Sequence, residues 1–111
     1  MTESKFSPAM RIQIELAILA REQGDDDLLA DEARRLGLTG AEIEAARRGA
    51  SFNAIADVAV KFALALHDGD DDTAAILERK LVSFGAAELI PHVTRLVQGA
   101  EATPGCPNRA R

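Results

Sequence analysis

A chain of 111 residues, 47% apolar and 28% charged, supports one folded core and not two. Its formal net charge of −5 argues against nucleic acid as a partner, because a phosphate-reading surface needs a basic stripe. No apolar run is long enough to span a bilayer, no segment is laid out like a secretion signal, and the single Cys106 has no internal disulfide partner, so a cytoplasmic protein away from membranes is expected.

Four phenylalanines are the only aromatic side chains, and β-branched runs bounded by turn residues are missing, which points to an all-α fold cored by Leu, Ile, Val and Ala. Ser7-Pro8 has the chemistry of a helix start: a hydroxyl cap, then a proline whose missing N–H costs nothing. Behind it Ile12, Leu16 and Leu19 share a face with Ile14 and Ile18 beside it, a surface wide enough to be contacted from more than one side. Gly24 is the expected stop. Asp25, Asp26 and Asp27 precede Leu28, where carboxylates cap free N–H groups and meet the positive end of the helix dipole. That second helix carries Leu29, Ala33 and Leu36 inward and stops at Gly37.

Thr39 and Glu42 have capping-box spacing, with Leu38 and Ile43 placed as a hydrophobic staple, and Gly49 closes this third helix. A longer helix is expected from about Asn53 to His67 with Ile55, Ala59, Phe62 and Leu66 inward. Asp72 is the expected cap of a fifth helix bearing Ile76, Leu77 and Leu81. The phrase FGAAEL, from Phe84, echoes LTGAEI, from Leu38, and suggests two similar helical hairpins. A last helix runs to about Gln98, with a kink or late start at Pro91. The sum is a bundle of about six helices in one domain over residues 1–98, followed by a flexible tail over residues 99–111 without apolar periodicity.

Residues able to do chemistry are few. Asp68, Asp70 and Asp72 alternate as in a calcium loop, but Thr73 stands where the turn needs glycine and Arg79 where a bidentate glutamate is required. Consecutive carboxylates at 25 to 27 point in different directions, so neither run is read as a metal site, and no cofactor is expected. His67 belongs at a helix C-terminus, where imidazolium suits the dipole. His92 stands one turn after Glu88, giving an i, i+4 contact or, inside a pocket, an acid–base pair. Cys106 lies between Pro104 and Pro107 with little to lower its pKa, and is read as incidental. Arg34–Arg35 and Arg47–Arg48 each close a helix, and would form an anion patch if those two ends met in space.

Three segments together, EARRLGLTGAEIEAARRG from Glu32, ADVAVKFALALHDG from Ala56 and ILERKLVSFGAAELIPHVTRLV from Ile76, resemble the carboxymuconolactone decarboxylase-like superfamily, which includes alkylhydroperoxidase D. IELAILA from Ile14 is similar to that family's first core helix, so the resemblance runs over roughly residues 9–98. It implies an alkylhydroperoxidase D-like all-α bundle that assembles as a symmetric homo-oligomer, a trimer or hexamer. The redox members of the family carry a Cys-x-x-Cys pair and a histidine on the helix before the Gly-Leu-Thr turn; here that stretch reads REQGDDDLLADEARRLG, with neither. Without two thiols, disulfide-based peroxide reduction lacks both nucleophile and resolving partner.

The expected function is therefore that of a non-peroxidase family member acting by binding or assembly, with room for a small-molecule ligand. An alternative is a divergent enzyme acting on a small lactone or keto acid, or in antioxidant defence, with Glu22, Asp25, Glu88 and His92 as candidate catalytic groups. Another is a helical module that docks on a different protein. A closed pocket holding a carboxylate would favour the enzyme.

Overall fold

Six α-helices and no strand make up residues 6–101, the part of the chain that this computed structural model describes. They are α1 (Pro8–Arg21), α2 (Asp27–Arg35), α3 (Gly40–Arg47), α4 (Ala54–Asp68), α5 (Asp71–Ser83) and α6 (Leu89–Glu101). None of them is long and apolar enough to cross a membrane.

The wide apolar surface of α1 has a simple cause: the helix is shared by two cores. Met10, Ile14, Ala17 and Ile18 face the larger one, built with α4, α5 and α6 around Phe62, Leu81, Leu89 and Val93. Ile12 and Leu16 face a smaller one with Ala30 and Ala33 of α2, Leu38, and Ile43 and Ala46 of α3. α4 is the other central helix, and Ala56, Val58, Ala59, Val60, Phe62, Ala63, Leu64 and Ala65 are all buried in it. No polar or charged residue is buried among the described residues, so the interior is held by apolar contact and its ends by caps.

Three of those caps follow the sequence pattern. Ser7 accepts from the Met10 N–H at 3.1 Å, and Asn53 from the Ala56 N–H at 2.9 Å. Thr39 accepts from the Glu42 N–H at 3.1 Å while the Glu42 carboxylate takes the Thr39 N–H at 2.7 Å, a complete capping box. Its flanking Leu38 and Ile43 are both buried in the smaller core.

All five junctions between helices close the same way. A residue with positive φ is followed by one whose N–H reaches back five positions, as in Leu38 to the Ala33 carbonyl and Asp70 to the Ala65 carbonyl. Four of the five turn residues are glycines, but the first is Gln23, at φ 60°. Gly24 is not the left-handed stop expected at the end of α1. A Cβ there would lie 2.4 Å from Leu19 Cδ1, so the glycine serves a close approach and the turn falls on its neighbour. A non-glycine side chain in this region costs about 1 kcal/mol or more. Gln23→Gly is therefore expected to raise stability by about 0.5–1 kcal/mol in urea unfolding; a destabilised variant would show that the glutamine side chain holds this turn.

Other expectations shift. The cap of α5 is Asp70, not Asp72: its carboxylate accepts from the Thr73 N–H at 3.2 Å and the Thr73 hydroxyl at 2.7 Å. Those two bonds, the hydroxyl's first, hold the Asp70 carboxyl below the ordinary carboxylate range. Leu36, placed inward by helical spacing, is exposed, because α2 buries its alanines Ala30 and Ala33 instead. Ile76 is also exposed, while Leu81 is fully buried.

The echo of LTGAEI in FGAAEL is not structural. Gly37 stands before the first phrase and Gly85 inside the second, so the two left-handed turns are out of step with the matching letters. α6 starts only at Leu89, after a turn closed by the Leu89 N–H on the Ala86 carbonyl. Pro91 is thus its third residue, inside the first turn, where the late start leaves no bond to break. The helix continues past Gln98 to Glu101; residues 102–111, including Cys106, lie outside the described part.

Candidate functional site

The acidic stretch between α1 and α2 does two different things. Asp25 accepts the Asp27 N–H at 3.0 Å, tightening the turn ahead of α2. Asp26 occupies the cap position of α2 but makes no side-chain cap. Its two oxygens instead take Nε and a terminal N–H of Arg47, at 2.8 and 3.0 Å, in a bidentate pair across 21 positions of sequence. Arg47 sits in the last turn of α3 and also donates to Glu44. The Asp26 carboxylate, aided by Glu44 and opposed by partial burial, makes the guanidinium even harder to deprotonate than usual. Asp26 is 14% exposed and Arg47 30%, so the pair is largely withdrawn from water.

Carboxylate oxygens of Asp25, Asp26 and Asp27 come within 4.8 Å of one another, closer than expected for consecutive residues. Asp26 is nevertheless fully engaged by arginine, and Asp25 by a backbone N–H. The alternating acids further on are likewise occupied: Asp70 by Thr73, and Asp68 by Arg21.

The four candidate catalytic residues are not gathered in one place. Glu22 lies exposed just after α1 and its carboxylate is 3.5 Å from Nε2 of His67 at the end of α4. Asp25 follows it in the same loop. His92 stacks flat on Phe6, with ring centroids 5.2 Å apart and planes 4° apart, ahead of the start of α1. The 14 residues of α1 therefore separate His92 from Glu22 and Asp25 by about 20 Å. Glu88 is exposed in the turn before α6. The hollow nearest Glu22 is a solvent-open groove of about 260 Å³ between α1 and α2, lined by Glu15, Ile18, Leu19 and Leu29 as well as Glu22.

Sequence reading did not find the pairs that join separate helix ends. Arg21 meets Asp68 and Glu22 approaches His67, fastening the C-terminal end of α1 to that of α4. Arg34 and Arg35 pair with Asp31 and Glu32 on their own helix, whereas Arg47 lies at the opposite, N-terminal end of α2. The two arginine pairs therefore do not meet, and no patch joins them. Adjacent charge signs hinted at local pairs, but no local signal marks Asp26 as the partner of Arg47.

No protein-family model, curated protein or solved structure matches the chain.

Proposed function

We propose that the chain is a divergent member of the carboxymuconolactone decarboxylase-like superfamily, lacking the family's thiol pair, that works by assembly with copies of itself and by binding, without peroxide turnover. The observation that carries this reading is on α2. Leu28 is 83% exposed, on a helix whose buried residues are only alanines, and Leu36, which follows its last residue, is 40% exposed. A groove of about 240 Å³ beside Leu36 runs along α1, with apolar walls from Pro8, Ile12, Leu29 and Leu36 and a charged rim from Arg11, Glu15 and Glu32. Large aliphatic side chains set beside such a groove are what a second subunit would cover. Ile76 and Val82 of α5, and Phe84 just after it, are exposed as well.

The clasp between Asp26 and Arg47 supports the absence of a peroxidase site, because it lies in the stretch where the resemblance places the redox pair. The divergent-enzyme alternative has less support: it needs a sheltered carboxylate near His92, and no charged side chain is buried among the described residues. Docking on a different protein would use the same exposed leucines.

Light scattering at micromolar concentration distinguishes the readings. The expected mass is three or six times the 11.8 kDa of one chain, and Leu28→Glu is expected to lower it. A monomer in solution would contradict self-assembly and favour a different partner. The same sample is expected to show no thiol-dependent hydroperoxide turnover; a rate abolished by Cys106→Ser would contradict the non-peroxidase reading.

A further inference from the structure

Four of the thirteen Lys and Arg residues in this acidic chain line two adjoining clefts. The clefts, of about 370 and about 300 Å³, share Arg21, Arg48, Gly49 and Leu64 in their walls. Lys61 lines the first and Arg47 the second. The ends of α1 and α3 thus bring cations over a floor supplied by α4 and α5, including Leu64, Ala65 and Leu77. Gly49 keeps this floor open. It has φ 80°, and a Cβ on it would come within 2.8 Å of Leu64 Cδ1.

The donors are not all committed. Arg47 is held by Asp26 and Glu44, so it forms a fixed wall. Arg48 is 71% exposed and its carboxylate contact, Glu44 at 3.9 Å, is too long for a hydrogen bond. Arg21 uses one terminal nitrogen on Asp68 and keeps further N–H groups. Lys61 has one carboxylate partner, Asp57, and three donors. The two acids in the wall are themselves occupied, Asp68 by Arg21 and Asp70 by Thr73. What remains is an open hollow with spare cationic donors above an apolar floor.

We propose that this cleft binds a small organic anion, its carboxylate or phosphate head held by Arg48, Arg21 and Lys61 and a short apolar body lying against Leu64 and Leu77. The proposal goes beyond self-assembly and stands without it, since neither leucine of α2 takes part.

Calorimetric titration of the full-length protein with hexanoate, hexyl phosphate, inorganic phosphate and hexanol tests it. At least one of the first two is expected to bind roughly ten-fold more tightly than either inorganic phosphate or hexanol, because head and body both contribute. Whichever anion prevails identifies the head group. Arg48→Ala and Lys61→Ala should each weaken that binding about five-fold with the melting temperature unchanged, whereas Arg34→Ala, on an exposed arginine elsewhere, should not. Equal binding of hexanol, equal damage from Arg34→Ala, or no binding of either organic anion would overturn the proposal. A monomer in light scattering together with intact anion binding would remove the assembly reading alone.

Discussion

Phe62→Ala is expected to lower the free energy of unfolding by about 3–5 kcal/mol, the usual cost of emptying a buried aromatic site. Phe62 is 2% exposed in the middle of α4 and is the bulkiest fully buried side chain of the core. Phe52 and Phe84 are exposed and Phe6 only partly buried, so no second aromatic ring sits inside to take up the space. On its own helix the nearest buried side chains are alanines at 59 and 63 and valines at 58 and 60, while Ile14, Leu81 and Leu89 of the same core are held on other helices. For a domain of this size the melting temperature should fall by roughly 10–20 °C. A loss below about 1 kcal/mol would mean that α4 is not the packed centre of the fold.

Arg47→Ala should be the most damaging surface-level change, at about 2 kcal/mol. It removes a bidentate partner from a carboxylate that is only 14% exposed, leaving Asp26 partly desolvated and unpaired. It also unfastens the end of α3 from the start of α2, two helices whose shared core is the smaller of the two. Arg47→Lys is expected to recover less than half of the loss, since an ammonium cannot match both carboxylate oxygens at once. Arg48→Ala next to it should cost under about 0.5 kcal/mol, because that side chain is exposed and weakly paired. Chemical denaturation of the three variants side by side would expose any other ranking.

Much of the fold was legible because its signals are local. A cap and the N–H it accepts from are three residues apart, so Ser7, Thr39 and Asn53 could be read directly. Glycines at 37, 49 and 69 mark turns because a left-handed residue is cheapest without a Cβ. The misread positions are those where a neighbour at a distance decides. Gln23 takes the strained turn because Gly24 is needed against Leu19. Leu36, just past the end of α2, is exposed because the helix turns Ala30, Ala33 and the partly buried Leu29 to the smaller core. Asp70 takes the cap from Asp72 because the turn at Gly69 ends α4 so abruptly that α5 begins only two residues later, at Asp71.

The candidate site was less legible for the same reason. Three aspartates in a row look like a cap or a metal site, and spacing alone cannot reveal that the middle one reaches across to α3. The cationic hollow draws on α1, α3 and α4, so its members lie up to forty positions apart in sequence. Of these, only Arg47 and Arg48 stand out in sequence, as the close of a helix, and the packing of α1, α3 and α4 is what brings Arg21 and Lys61 to them.

A double-mutant cycle on Asp26 and Arg47, read by urea unfolding, bears most directly on whether the acidic stretch is a fastening or a place for chemistry. Asp26→Ala and Arg47→Ala should each destabilise, and together should cost clearly less than the sum, with a coupling of about 1–3 kcal/mol. A coupling near zero, or an Asp26→Ala variant more stable than the parent as expected when a functional group is relieved of strain, would contradict the clasp.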